Sequence, residues 1–399
     1  MSKPRVLRIL NRFNLGGPTY NAAYLTRYLE PDFETRLIGG EKDESEGSSL
    51  HITDGLGIKP HVISSMKREV NLGMDREAYR EIRKHIQEFK PQIVHTHASK
   101  AGALGRLAAL HENVPVIVHT FHGHVFHGYF NPLKTHAYKY IERYLARKSD
   151  QIIAISDIQK NELCNIHRIA AESKTSVIPL GFDLDRFRED KAEKRMQFRE
   201  KYTLSTDTLA IGIIGRLVPI KNHELFLKAI DACKSQAKQK IQAYVIGDGE
   251  TKLALQTFIQ ENTQLSFSEG ADASADVIFT SWIKEVDQAL AGLDLVCLTS
   301  LNEGTPVSLI EAQAAGKPIV STNVGGIENV VLPNKSALLS PLGEDTKFIE
   351  NLVGLVDDSE KLTAMSTAGE AFVFEHFHYR RLAADVKKLY NYLLNQKSN

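Results

Sequence analysis

The sequence predicts an α/β protein with two parallel-sheet domains, and three observations support this fold class. At 399 residues, the chain is too long for one ordinary hydrophobic core, and about two domains of roughly 150 to 200 residues are expected. Short apolar runs alternate with amphipathic segments, as in strands joined by helices in βαβ units. This alternation occurs twice, on either side of a Pro/Gly turn and a charged stretch at residues 177–190.

The predicted strands are short apolar runs that recur with the same rhythm in both halves. In the first half they lie at residues 6–10, 35–38, 93–95, 116–119 and 151–155. In the second half they lie at residues 209–214, 241–246, 277–279, 295–298 and 318–321. The short apolar run at residues 293–298 is typical of a buried strand, and strands separated by helical patterns indicate parallel sheets.

The domain bounds follow from these elements. We expect a first domain at residues 1–182 and a second at residues 183–375, with the turn in "VIPLGFDLDRF" between them. The last segment, residues 376–399, has helical apolar spacing and no strand after it, so we expect a helix that packs back on the first domain. A cleft is expected between the two domains.

Composition excludes several classes of protein. Forty-nine basic and 49 acidic residues give a net charge of zero, and without a long basic run a nucleic-acid partner is not expected. Cys164, Cys233 and Cys297 lie far apart among apolar residues, which indicates reduced core thiols. With no signal peptide and no apolar stretch of about 18 residues, we expect a cytoplasmic protein, at most peripheral on the inner membrane face.

Residues that directly follow the strands are the candidate ligand contacts, because open parallel sheets bind ligands beyond the carboxyl ends of their strands. Gly16 and Gly17 follow the first strand and would let the backbone approach a phosphate, although a plain tight turn explains them equally well. Arg216 and Lys221 follow the first strand of the second half and place two cations where a diphosphate would need them, without a metal. Ordinary solvated loop cations are the alternative.

The stretch "SLNEGTPVSLIEAQAAGKP" contains two glutamates near a strand-to-helix junction. Its pattern predicts a loop and then a helix at residues 306–315, capped by Thr305 and ended by Gly316. Glu303 would lie just outside the helix N-terminus, and Glu311 in the second turn would lean back towards the same place. Since a helix N-terminus attracts anions, this place suits a phosphate beside acids that bind hydroxyls. A solvated surface position for Glu311 is the alternative.

Two further patterns suggest metal ligands. Several histidines, including two HxH pairs, lie between His95 and His127. A zinc site is conceivable, but no cysteine or evident acid joins them, so an acid/base or leaving-group role for one histidine is favoured. Asp183 and Asp185 form a DxD sequence in the expected linker, where a capping or hinge role is favoured over metal binding.

A basic segment at residues 135–148 is predicted to be a helix. Tyr138, Ile141, Tyr144 and Leu145 fall on one side of it. Packing against the sheet is the simpler explanation. Contact with an anionic membrane or a lipid-linked acceptor is the alternative.

Together these motifs resemble the retaining, nucleotide-sugar-dependent glycosyltransferases of family 4, which have the GT-B fold of two Rossmann-like domains. The resemblance covers nearly the whole chain and is carried by the segments "LNEGTPVSLIEAQAAGKPIVSTNVGGIENVV", "VIPLGFDLDRF", "GRLVPIKNHELFLKA" and "HTHASKAGALGRLAA". Two positions depart from the family pattern: Leu180 stands where asparagine is usual, and Pro18 follows the glycine pair.

The resemblance implies roles for the residues of the second domain. Arg216 and Lys221 would hold the donor diphosphate, and Glu311 would bind the ribose hydroxyls. Glu303, with the backbone from Gly304 to Pro306, would contact the donor sugar or its phosphate.

Further positions match the family in both domains. His122 matches the active-site histidine near the transferred sugar, and Gly16 and Gly17 match a turn that faces the diphosphate. Trp282 and Ile283 would lie near the base.

The implied activity is retaining, metal-independent transfer of a sugar from a nucleotide sugar, with a UDP-sugar as the expected donor. The first domain would serve the acceptor, a glycan or a lipid-linked molecule, in the biosynthesis of a bacterial surface polysaccharide. No cofactor beyond the nucleotide sugar is expected. A GT-B epimerase or hydrolase of nucleotide sugars, or an inactive protein that only binds them, are the alternatives.

Overall fold

The computed structural model describes residues 3–14, 17–42, 48–67, 69–123 and 132–398. The chain forms two compact units, one made of Met1–Phe182 with Phe377–Asn399 and the other of Asp183–His376. Each unit is built on one seven-stranded sheet, and the strands pair in parallel in both. The predicted class of two parallel-sheet α/β domains is therefore confirmed.

The first unit has the strand order β3-β2-β1-β4-β5-β6-β7. Its strands are β1 (Arg5–Arg12), β2 (Glu34–Gly40), β3 (His61–Ile63), β4 (Ile93–His97), β5 (Val116–Thr120), β6 (Gln151–Ala154) and β7 (Thr175–Val177). Its α-helices are α1 (Gly17–Tyr28), α2 (Leu50–Gly55), α3 (Leu72–Phe89), α4 (Ser99–His111), α5 (Pro132–Lys148) and α6 (Asp157–Asn161), which continues into a π-helical turn (Glu162–Ile166).

The second unit repeats this plan with the order β10-β11-β9-β8-β12-β13-β14. Its strands are β8 (Leu209–Ile214), β9 (Ile241–Ile246), β10 (Phe267–Ser268), β11 (Val277–Ser281), β12 (Leu295–Leu298), β13 (Ile319–Asn323) and β14 (Ala337–Pro341). Its α-helices are α7 (Lys191–Lys201), α8 (His223–Gln236), α9 (Lys252–Asn262), α10 (Val286–Gly292), α11 (Val307–Ala314), α12 (Asp345–Val356) and α13 (Ser359–Phe377). The last helix of the chain, α14 (Tyr379–Ser398), lies in the first unit.

The strands missing from the sequence prediction are the four sheet edges. All ten predicted runs overlap strands of the structure, whereas β3, β7, β10 and β14 were not predicted. An edge strand pairs on one side only, and proteins keep such strands short, so β3, β7 and β10 have two or three residues each. A run that short carries no periodicity that could identify it.

The C-terminal helix α14 belongs to the first unit. Leu382, Val386 and Tyr390 pack in one buried cluster with Val6 and Leu25. Two backbone hydrogen bonds hold the start of the helix, from the Phe182 amide to the Phe377 carbonyl (2.8 Å) and from the Tyr379 amide to the Phe182 carbonyl (3.0 Å). The chain therefore returns to its first unit after the second unit is complete.

The three cysteines lie in the core of the protein. Cys164, Cys233 and Cys297 are buried and unpaired, and burial raises the pKa of the Cys297 thiol well above its ordinary value. Among the helices of the described residues, none has both the length and the apolar character that a membrane crossing would need.

Candidate active site

Two glycine turns of the second unit fix the backbone at the carboxyl ends of its central strands. After β9, Gly247 has φ 147°, and a Cβ there would lie 1.9 Å from the carbonyl oxygen of Gly215, which follows β8. After β13, Gly325 has φ 54°, and a Cβ there would lie 1.9 Å from the carbonyl oxygen of Glu303. Only glycine permits both the dihedral and the approach. The turn after β9 thus packs against the loop after β8, and the turn after β13 packs against the loop after β12.

Lys221 and Glu303 meet directly at this edge of the sheet. The Lys221 Nζ donates to Oε1 of Glu303 at 2.5 Å, and the hydroxyl of buried Ser300 donates to the same oxygen at 2.6 Å. The Lys221 backbone is held in turn, because the Thr299 hydroxyl donates to its carbonyl at 2.9 Å. The structure therefore joins Lys221, which the resemblance assigns to the donor diphosphate, to Glu303, which it assigns to the donor sugar or its phosphate, across 82 positions.

Arg216 is the open cation of this loop. Its side chain is exposed, and no hydrogen bond or ion pair within the described part of the chain occupies its guanidinium. The loop itself is ordered by the Leu217 amide, which donates to the carbonyl of Asp248 at 3.0 Å. A guanidinium in this state is available to an incoming anion.

Glu311 is paired with a residue that the sequence did not indicate. Nη2 of Arg186 donates to Oε1 of Glu311 at 3.0 Å, and the Glu311 side chain is only 19% exposed. Burial raises the pKa of Glu311, while the charge and hydrogen bond of Arg186 lower it and the charge of Asp287 raises it. A partly buried, ion-paired carboxylate is not the solvated surface residue of the alternative interpretation.

Helix α11 begins one residue later than predicted. Pro306 is the N-cap, with φ −72° and ψ 97°, and no side chain caps the helix. The prediction that Thr305 caps the helix is therefore wrong, because the extended ψ of Pro306 moves the first helical residue to Val307. Glu303 still lies before the helix and Glu311 in its second turn. The amide of Leu309 donates to the carbonyl of Pro306 at 3.1 Å, whereas no side chain caps the first amides of the helix, which are open to a ligand.

Trp282 and Ile283 follow β11, which pairs with β9. The Trp282 ring is 59% exposed, and Ile283 is half-buried. The residue before them, Ser281, has φ 57°, and its hydroxyl donates to Oδ2 of Asp248 at 2.9 Å. An exposed indole on a fixed turn is a suitable surface for stacking a base.

The first unit gathers buried histidines at the ends of β4 and β5. His122 lies 2.9 Å from His97, from Nε2 to Nδ1, and the two rings stack with centroids 5.2 Å apart. His95, also on β4, bonds to Tyr390 and Thr120, each at 2.7 Å. His122, which follows β5, therefore contacts a histidine at the end of the neighbouring strand β4.

Burial sets the charge of these rings. It lowers the pKa of His122 to about 3 and holds the pKa of His97 well below its ordinary value. Both imidazoles are therefore neutral at neutral pH, so each can donate or accept a hydrogen bond but neither is a protonated acid. His124 and His127 lie outside the described residues.

The glycine pair after β1 and the DxD sequence were also candidate ligand contacts. Gly16 lies outside the described residues, and Gly17 is the first residue of α1. Asp185 begins a short 3₁₀ turn, Asp185–Phe187, which carries Arg186 to Glu311. Within the described residues, neither aspartate belongs to a group of side chains close enough to bind a metal.

Helix α5 exposes aromatic side chains. Tyr140 is 74% exposed, and Ile141 and Tyr144 are about half exposed, whereas Leu145 is buried. The expected face of Tyr138, Ile141, Tyr144 and Leu145 is thus only partly packed against the unit, and its tyrosines leave apolar surface open.

The chain matches two family models and several known proteins. A model described as Glycosyltransferase Family 4 matches residues 15–186, and one described as Glycosyl transferases group 1 matches residues 208–358. The UDP-Gal:alpha-D-GlcNAc-diphosphoundecaprenol alpha-1,3-galactosyltransferase of Escherichia coli is 28% identical over 343 residues, which cover 85% of this chain and 86% of that protein. The capsular polysaccharide biosynthesis glycosyltransferase CapM of Staphylococcus aureus is 24% identical over 346 residues, covering 84% and 86%.

Solved structures share the fold at low sequence identity. A glycosyltransferase from Rickettsia africae has a TM-score of 0.78 at 17% identity, over 99% of both chains. Anabaena HepE in complex with UDP has a TM-score of 0.75 at 17% identity, over 97% of this chain and 99% of that one. These likenesses confirm the two-domain arrangement of Rossmann-like units that the sequence predicted.

Proposed function

Because this chain belongs to the family-4 glycosyltransferases of the GT-B fold, we propose that it transfers a sugar from a UDP-sugar with retention and without a metal ion. The acceptor in this proposal is a glycan or a lipid-linked molecule used for a bacterial surface polysaccharide. The relatives named above support the acceptor class, since one acts on a diphosphoundecaprenol-linked sugar and another serves capsular polysaccharide synthesis. The HepE complex supports UDP as the nucleotide.

The observation that carries the proposal is the pairing of Lys221 with Glu303 beside the uncapped start of α11. The pair lies at the carboxyl end of β12, where open parallel sheets bind ligands. The ammonium of Lys221, the free guanidinium of Arg216 and the amides of α11 are all donors to an anion. A diphosphate bound here would contact three kinds of hydrogen-bond donor: an ammonium, a guanidinium and backbone amides.

These donors would act on the leaving group. In the proposed step the bond between the anomeric carbon and the β-phosphate oxygen breaks, and negative charge accumulates on the departing UDP. Lys221 and Arg216 stabilise that charge, which is the task that a divalent cation performs in metal-dependent enzymes. The acceptor oxygen bonds to the anomeric carbon, and its proton passes to the leaving phosphate.

The pairing of the acids bears on how retention would be achieved in this proposal. A retaining glycosidase needs two carboxylates flanking the sugar, about 5 Å apart, so that one can act as a nucleophile. Here Glu303 is held by Lys221 and Ser300, and Glu311 is held by Arg186. Carboxylates tied in ion pairs suit hydroxyl binding and charge balance better than nucleophilic attack, so the retention proposed here would proceed by direct same-face attack of the acceptor rather than through a glycosyl-enzyme intermediate. In this proposal His122 supplies a neutral hydrogen bond to the transferred sugar.

The test is a screen of nucleotide sugars for thermal stabilisation, followed by an assay of UDP release. A true donor stabilises the folded protein by mass action, and we expect UDP-sugars to raise the Tm more than GDP- or ADP-sugars do. UDP release that requires an acceptor supports a transferase. Release without any acceptor would indicate the hydrolase or epimerase, and stabilisation without release would indicate an inactive binding protein.

We also propose that α5 contacts the membrane that carries a lipid-linked acceptor. Tyr140 and Tyr144 are one turn apart and exposed, and Arg147 and Lys148 in the last turn add positive charge. Aromatic rings beside cations are typical of a helix that lies on an anionic lipid surface. Flotation with phosphatidylglycerol vesicles should recover the protein, and phosphatidylcholine vesicles should recover much less.

Matched variants test the surface. Replacing Tyr140 and Tyr144 with serine should abolish flotation. Tyr392→Ser on α14, which changes an equally exposed tyrosine, should leave flotation intact. Equal flotation of all variants would exclude α5 as the contact.

A further inference from the structure

A compact group of metal-ligand side chains lies at the β3 edge of the first unit. His61 is on β3, and Glu81 and His85 are one turn apart on α3. One ligand atom from each of the three lies within 4.8 Å of the other two. The His61 Nε2 is 2.7 Å from Oε1 of Glu81, and the His61 and His85 rings have centroids 4.3 Å apart. In the described part of the chain, this is the one such group of three.

The core holds two of these ligands in place. Ile82 follows Glu81 and Ile86 follows His85 in the sequence. Both isoleucines are fully or almost fully buried and pack in a hydrophobic cluster of the first unit. Glu81 and His85, four positions apart, therefore project from a helix whose rotation is fixed by its apolar face. His61 then approaches from the sheet edge to meet them.

His85 has an unused nitrogen. Its Nδ1 atom is buried and has no hydrogen-bond partner within the described ranges. A buried polar atom without a partner costs free energy unless water or an ion satisfies it. An ion bound by the imidazoles would remove this cost in one of two ways. Either Nδ1 of His85 is itself the ligand, or it donates a hydrogen bond to a carboxylate that binds the ion.

The charges around the group are mixed. Glu81 and Glu88 bring negative charge to His85, while the positive charge of Arg36 acts on it more strongly than either, and Lys84 pairs with Glu88 at 3.9 Å. The Arg36 guanidinium lies 4.3 Å from the centre of the Phe89 ring, an arrangement that a cation–π contact stabilises. The negative charge that an ion at this group would meet directly is therefore that of Glu81, which is itself one of the three ligands.

We propose that His61, Glu81 and His85 form a binding site for a divalent transition-metal ion, with Zn²⁺ as the best match. Two imidazoles and one carboxylate are a ligand set that Zn²⁺ accepts, with water in the fourth position of a tetrahedron. The ion would take the place of the hydrogen bond between His61 Nε2 and Glu81. It would tie the three-residue edge strand β3 to α3 and so stabilise this edge of the sheet.

The experiment uses the full chain, stripped of metal with a chelator and titrated with Zn²⁺ by calorimetry in a non-chelating buffer. We expect one equivalent to bind and the Tm to rise with added Zn²⁺. Co²⁺ in place of Zn²⁺ should give the absorption bands of a tetrahedral site. His61→Ala and His85→Gln should each weaken Zn²⁺ binding at least about tenfold and remove the Tm rise.

The control is His111→Gln, which changes an exposed histidine of the same unit and should leave binding and the Tm rise intact. His61 is itself exposed, so His61→Ala tests the site even if His85→Gln folds poorly. Unchanged Zn²⁺ affinity in His61→Ala would overturn the proposal. A Zn²⁺ equivalent that persists in that variant and disappears in His97→Gln would overturn it as well, since the ion would then lie among the buried histidines.

Discussion

Removing the charge of Arg186 should make donor binding depend on pH in a new way. In the proposal Glu311 grips the ribose hydroxyls as a carboxylate, and Arg186 keeps it ionised and oriented through a 3.0 Å hydrogen bond. Arg186→Met leaves only burial and the charge of Asp287, which both raise the pKa of Glu311. The variant should therefore need a higher pH than the parent before Glu311 is ionised.

The expected size of the effect follows from exposure. The Arg186 side chain is 43% exposed, and a pair screened to that extent contributes on the order of 1 kcal/mol. Because about 1.4 kcal/mol corresponds to a factor of ten, the donor KM should rise roughly fivefold at acidic pH. The difference should shrink as pH rises, since Glu311 becomes ionised in both proteins.

The assay is initial-rate kinetics across a pH series that starts near 4.5, the ordinary pKa of a glutamate, and extends upward. Arg186→Lys retains the charge and should keep the parent profile more closely. Glu311→Gln should raise the donor KM and lose this pH dependence. If the KM of Arg186→Met follows the parent at every pH, or exceeds it by one constant factor, Arg186 does not act through the ionisation of Glu311.

Three further predictions concern the same site. Lys221→Ala and Arg216→Ala should each lower kcat/KM severely, because each loses a charge partner of the diphosphate and with it roughly 2 to 5 kcal/mol of transition-state stabilisation. Circular dichroism should show an intact fold in both variants. Near-normal rates in both would contradict the phosphate assignment. Glu303→Gln should chiefly lower kcat, because contacts beside the breaking bond tighten in the transition state, whereas Glu311→Gln should chiefly raise the donor KM; unchanged kinetics in both would remove the acids from the site. Transfer should survive EDTA, and a complete loss restored by Mg²⁺ or Mn²⁺ would show that a metal is required.

The sheet interiors could be predicted from sequence, whereas their edges could not. Central strands such as β8 and β12 are buried on both faces and therefore appear as continuous apolar runs. The edge strand β3 has three residues, and two of them are exposed. It pairs with β2, whose residues lie more than 20 positions away in the chain, so no local sequence pattern indicates this strand.

The site shows the same division between local and distant information. The spacing of Glu303 and Glu311 around a helix start is local, and the structure has this arrangement, although Pro306 replaces Thr305 as the N-cap. Their partners are distant. Arg186 reaches Glu311 across 125 positions, from a turn that sequence reasoning assigned to a linker, and only the packing of that turn beside α11 could identify it.

The pairing of both acids also resolves a difficulty in the proposed chemistry. Two glutamates beside a diphosphate would repel it if their charges were uncompensated. In the second unit Lys221 neutralises Glu303 and Arg186 neutralises Glu311, so the acids offer oxygen acceptors to hydroxyls at little electrostatic cost. Arg216, unpaired within the described residues, is then the excess positive charge of the group. An anion with hydroxyls attached is the ligand that this balance favours, and a nucleoside diphosphate sugar has both.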